Sequence, residues 1–141
     1  MKYKELKPRP KMGESLRNMG YNPRFAMADL IDNSIDASAT KVDIVVAGKK
    51  NQRDPVTRID VFDNGTGMNV QCAEEALTMG SDTHKDGKSL GCFGMGLNTA
   101  ATSLGRRITV ITRNHRDKLV CLVYDLDVNA TRNKYTVCHR S

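Results

Sequence analysis

Apolar positions change their period several times along the chain, and each change marks an element. Glu14–Met19 reads as a short helix closed by Gly20. Asn22-Pro23 is a turn whose proline suits the first position of a following helix. That helix is expected from Pro23 to Ala39. At 100° per residue, Met27, Leu30, Ile31, Ser34 and Ile35 gather on one side, and Asp29, Asp32, Asn33 and Asp36 on the other. The pattern then switches to period two. Val42, Ile44 and Val46 alternate as in a strand, Lys49–Pro55 is a polar loop, and RIDVFDNGTGM is a second strand stopped by glycines.

Helical spacing returns over Asn69–Thr78 through Val70, Ala73, Ala76 and Leu77. Residues 80–96 hold five glycines and no clean period, and read as a long loop. A helix from Gly96 to about Leu104 follows, and then RRITVITR, KLVCLVYDLD and KYTVCH as strands. This order predicts an α/β two-layer sandwich, a mixed sheet with helices on one face. One domain over 13–141 is expected, preceded by a basic, proline-containing arm over 1–12.

Composition narrows the class. A chain of 141 residues fits one core. With 5% aromatic residues and no Trp, that core must be aliphatic. No apolar run approaches the roughly 20 residues of a membrane span, and the basic N-terminus lacks the apolar stretch of a signal peptide; a cytoplasmic protein without membrane association is expected. Cys72, Cys92, Cys121 and Cys138 form no CxxC pair and have no His at metal spacing, so free thiols are expected. The net charge of +6 can favour phosphate-bearing partners, but a solvated basic surface is the simpler reading of charge alone.

Three stretches carry candidate chemistry. In ADLIDNSIDA, Asp29 and Asn33 stand one helical turn apart. A carboxylate there can take a proton from water, and an amide oxygen can ligate Mg²⁺ without adding charge. In DNGTGM, Asp63 is an acceptor for an exocyclic amine, and Gly65 and Gly67 let backbone approach a flat ring; a plain Asn-Gly hairpin turn is the alternative. In GCFGMG, glycines run into a helix start whose free N–H groups suit phosphate. The spacing is neither the dinucleotide fingerprint nor a Walker motif.

Taken in order, D-x-x-x-N-x-x-D-A, D-x-G-x-G and G-x-x-G-x-G resemble the GHKL superfamily of gyrase B subunits, ninety-kilodalton heat-shock chaperones, histidine kinases and MutL proteins, with the MutL and Microrchidia branch the most similar in look. The resemblance implies a Bergerat fold with a Gly-rich ATP lid, and ATP and Mg²⁺ as ligands. It implies that Asp29 acts as general base and Asn33 ligates Mg²⁺. Asp36 and Ala37 would complete the helix wall, and Asp63 would accept from the adenine amine beside Met68, Gly65 and Gly67. Gly91, Gly94, Met95, Gly96 and Leu97 would form the lid and its helix, with Thr83 and Lys85 in the stretch before it.

The family's usual Glu is Asp29 here, roughly 1.5 Å shorter by one carbon–carbon bond. Slow hydrolysis is therefore expected, since a misplacement of about 1 Å can cost on the order of a hundredfold. The family's later Gly-Thr strand and lysine-bearing second domain are not found before Ser141, so the chain reads as a fragment or as a minimal relative that needs a partner. The resemblance further implies ATP-driven conformational change or homodimerisation in a process involving DNA or DNA-processing proteins. A histidine-kinase-type domain and a non-catalytic ATP sensor are the alternatives.

Overall fold

The computed structural model describes residues 12–51, 53, 55–78 and 96–140. Helix α1 spans Met12–Asn18, and the chain turns at Gly20, whose φ of +74° is a backbone region that glycine enters without strain. Helix α2 spans Pro23–Asp36. Its first turn is capped by Asn22, whose side chain accepts from the Arg24 N–H at 2.9 Å, with Pro23 at the first helical position.

Helix α2 stops three residues before the expected Ala39. Ser38 takes a left-handed φ of +61°, the Ser38 N–H donates to the Ile35 carbonyl, and the Ala39 N–H reaches back to the Ser34 carbonyl. This is a Schellman closure with serine where glycine is usual. Apolar periodicity continues past a helix that its backbone hydrogen bonds have already ended.

Strands β1 (Val42–Gly48) and β2 (Val56–Asp63) form an antiparallel hairpin, in register from Val42 opposite Asp63 to Val46 opposite Ile59, with an irregularity at Ala47/Gly48. Helix α3 covers Val70–Ala76, capped by Asn69, and α4 covers Gly96–Leu104. Strands β3 (Arg107–Thr112), β4 (Val120–Asp125) and β5 (Val137–His139) form a second antiparallel sheet in that order. Helix α5 (Leu126–Arg132) lies between β4 and β5. It falls where the strand KLVCLVYDLD was expected to continue. Asp125 decides the change, since its carboxylate accepts from the Asp127 and Val128 N–H groups and caps a helix.

The main correction concerns the sheet. A single mixed sheet was expected, whereas the described strands form two separate sheets in which every pairing is antiparallel. The inner edges of β2 and β3 carry no ladder between them, and both line a cleft of about 450 Å³ beneath α2 and α4. The helices thus pack on antiparallel strands. The main core is Ala73, Leu77, Ile108, Val120, Leu122, Tyr124 and Leu126, with Tyr124 fully buried and its ring tilted at 44° against Tyr135.

The β1–β2 hairpin is more open. Ile44, Val45, Val46, Val56 and Phe62 are exposed, as is Met19 just after α1. Cys121 and Cys138 are free thiols, but Cys72 is disulfide-bonded, which corrects the expectation of four free thiols. No helix among the described residues is long and apolar enough to cross a membrane.

Candidate functional site

The cleft is closed at one end by the turn that follows β2, and that turn is seated on two elements. On one side Ala37, the C-cap of α2, accepts from the Thr66 N–H at 2.9 Å. A Cβ on Gly65 would lie 2.8 Å from the Ala37 carbonyl oxygen and 2.9 Å from its Cβ, so only glycine fits against that cap. On the other side Gly67 has φ +66°, and a Cβ there would meet the Arg113 carbonyl oxygen at 2.2 Å. The Met68 N–H donates to Thr112 Oγ1 at 2.9 Å. The two glycines thus wedge the turn between the end of α2 and the end of β3.

This seating orients Asp63. Its Oδ1 accepts from the Gly65 N–H at 2.9 Å, and Ser34 Oγ stands 3.4 Å from Oδ2. Ser34 also lies 3.3 Å from the Leu30 carbonyl, and its single proton serves one acceptor at a time. Asp63 and Ser34 therefore form a polar pair at the end of a cleft walled by Leu30, Met68, Leu97 and Ala101. A flat heterocycle with an exocyclic amine meets its requirements there, apolar contact on the faces and a fixed acceptor at the edge.

Ser34 was missed as a site residue. It was placed on the apolar stripe of α2, and a lone hydroxyl in that stripe, 4% exposed in the fold, was the available signal. Thr112 and Ala101, which also line the cleft, carried no local signal because β3 and α4 join α2 and β2 around it only in the tertiary structure.

The other expected residues divide clearly. Asp29 is half-buried and accepts a hydrogen bond from the Tyr21 hydroxyl. Asn33, one turn later, has a solvent-shielded Nδ2 with no hydrogen-bond partner among the described residues. Neither lines the cleft itself; each is adjacent in sequence to a residue that does, Leu30 and Ser34. Asp36 is exposed, and Ala37 is buried under the turn. Gly96 and Leu97 begin α4, and Leu97 reaches the cleft. Thr83, Lys85, Gly91, Gly94 and Met95 lie outside the described residues.

The end of α3 and the start of α4 are tied together. Asn98 is buried, and its Nδ2 donates to the Leu77 carbonyl and to the Tyr135 hydroxyl at 2.7 Å. Tyr135 itself donates to the Leu77 carbonyl, and Thr102 Oγ1 donates to Asn98 Oδ1 at 2.7 Å. This buried network holds the first turn of α4 against the last turn of α3.

A family model described as histidine kinase-, DNA gyrase B-, and HSP90-like ATPase matches residues 21–140. The chain belongs to this family. Within the family it is similar to the Microrchidia proteins. Protein MICRORCHIDIA 6 of Arabidopsis thaliana is 25% identical over 78% of this chain and 20% of that protein. ATPase MORC2 of Homo sapiens is 28% identical over 69% of the chain and 9% of that protein, and ATPase morc-1 of Caenorhabditis elegans is 32% identical over 64% and 10%. The chain thus spans about a fifth or less of the length of these relatives.

Proposed function

We propose that this domain has a Bergerat-type fold, binds ATP with Mg²⁺ in the cleft between α2, α4 and the β2–β3 edges, and hydrolyses it slowly. The observation that carries this reading is the Asp63–Ser34 pair at the end of an apolar cleft, in a chain that belongs to an ATPase family. Asp63 accepts from the adenine amine, with Ser34 and Thr112 supplying hydroxyls nearby and Leu30, Met68 and Leu97 packing the ring. Asp36 and Ala37 flank this pocket at the end of α2.

The orphaned Asn33 amide fits the phosphate end. Its Nδ2 is shielded and has no hydrogen-bond partner among the described residues, a costly state for a donor that a phosphate oxygen relieves. Among the described residues no three His, Cys, Asp or Glu side chains cluster to hold a metal. By resemblance Asn33 would hold Mg²⁺ through its amide oxygen, and the ion would supply neutralisation of phosphate charge. Gly96 opens α4, whose N-terminal N–H groups suit phosphate, and Thr83, Lys85, Gly91, Gly94 and Met95 are assigned by resemblance to the segment that covers it.

Asp29 is assigned the proton. Water adds to the γ-phosphorus as the bond from that phosphorus to the bridging oxygen breaks, releasing ADP and inorganic phosphate. The carboxylate takes the proton from water and later returns it to solvent or product. The short Asp29 side chain favours slow turnover, and coupling of that turnover to dimerisation or conformational change in a DNA-related process is the setting we infer. The net charge of +6 and the exposed Arg113, Arg116 and Lys118 after β3 support it.

The test is calorimetric titration of a non-hydrolysable ATP analogue with and without Mg²⁺. Saturable binding is expected in the wild type, with loss in Asp63→Asn and loss of the Mg²⁺ dependence in Asn33→Ala. A folded wild-type chain that binds no nucleotide overturns the reading.

A further inference from the structure

Tyr21 stands immediately before the N-cap of α2, and its hydroxyl donates to Asp29 Oδ2 across the first two turns of that helix. Both ends of the contact are fixed. Asn22 pins the backbone beside Tyr21 by accepting from Arg24, and Pro23 locks the first helical residue. Both side chains are half-buried, and among the described residues no other side chain bonds Asp29. The bond also holds the Tyr21 phenol above the ordinary tyrosine range, so the hydroxyl keeps its proton and remains a donor throughout neutral pH.

We propose that Tyr21 is a positioning residue for Asp29, holding Oδ2 so that Oδ1 is presented in one orientation to the attacking water. The inference rests on the reading of Asp29 as proton acceptor given above. A half-buried aspartate otherwise samples several side-chain rotamers, and only a fraction of them points at a given water. A second anchor removes that freedom at a position where the carboxylate is already short. Tyr21 does not line the cleft, so its contribution falls on turnover and leaves substrate binding alone.

The experiment is a double-substitution cycle on the 141-residue chain with Mg-ATP, using Tyr21→Phe, Asp29→Ala and the pair. Phe keeps the ring, and thermal melting checks that the variant folds like the wild type. The expected result for Tyr21→Phe is a kcat about tenfold lower, as for a modest misplacement of a catalytic group, with KM and analogue affinity within about twofold. In the Asp29→Ala background the same change is expected to have no further effect, the signature of a residue acting through another.

Turnover that depends on Asp29 but is unchanged in Tyr21→Phe overturns the positioning role alone. Turnover indifferent to Asp29→Ala, or absent from the wild type, overturns the catalytic reading and the positioning role with it. A readout independent of turnover is the Cζ resonance of Tyr21 followed against pH, assigned by its loss in Tyr21→Phe. Its ionisation midpoint is expected to fall in Asp29→Asn, and an unchanged midpoint overturns the contact on which the proposal stands.

Discussion

At the scale of single residues, the DNGTGM turn shows one motif serving geometry and chemistry together. Gly67 has a positive φ and no room for a Cβ against Arg113, and the N–H of the next residue is held by Thr112. Gly67→Ala is therefore expected to destabilise the chain by about 1–3 kcal/mol, the usual cost of left-handed strain at a residue with a side chain. Because the same turn orients Asp63, nucleotide affinity should fall with it. Urea denaturation together with analogue titration checks both, and a Gly67→Ala chain of wild-type stability would remove the wedge argument. The helix face shared by Asp29 and Asn33 was readable from spacing because i and i+4 share a face whatever the rest of the chain does. Ser34 was not, because a hydroxyl on an apolar stripe acquires meaning only when Asp63 arrives from another element.

At the scale of elements, caps settle what periodicity leaves open. Asn22 and Asn69 start α2 and α3 near the expected places, but Asp125 starts a helix where hydrophobic alternation argued for more strand. Asp125 is also the partner of Arg107 across the first pair of β3 and β4, at 2.7 Å. Burial pushes its carboxyl up, yet the Arg107 hydrogen bond and the two backbone N–H groups outweigh this and leave it below the usual carboxylate range. A depressed folded-state value means stability that is present above the unfolded value of about 3.9 and is lost as pH falls through the folded one. Urea midpoints measured from pH 6 down to pH 2 should therefore decline, and in Asp125→Asn, which still caps but cannot ionise, the decline should be shallower. An identical slope in the variant would show that other carboxylates carry the acid sensitivity.

At the scale of the whole molecule, two antiparallel sheets are held by helices and by one turn. The hairpin half, with α2, meets the β3–β5 half chiefly through α2 against α4 and through the contacts of Gly67 and Met68 with the end of β3. A nucleotide in the cleft would touch both halves, Asp63 and Ser34 on one side and Leu97 and Thr112 on the other. Hydrogen exchange is expected to be fast at β2 and β3 amides that point away from their partner strands, and to slow in both strands when the Mg-bound analogue is added. Protection confined to one half would argue that ligand does not bridge the cleft. From the sequence alone came the order of helices and strands as far as β4, the family resemblance and the residues that share a face of α2, because helix and strand periods and the Gly and Asn turn signals are local properties. The split of the expected mixed sheet into two and the meeting of Ser34, Asp63 and Thr112 around the cleft were decided only by tertiary structure. Strand pairing and side-chain partnership depend on which edges and faces are brought within hydrogen-bonding reach, and no window of neighbouring residues contains that information.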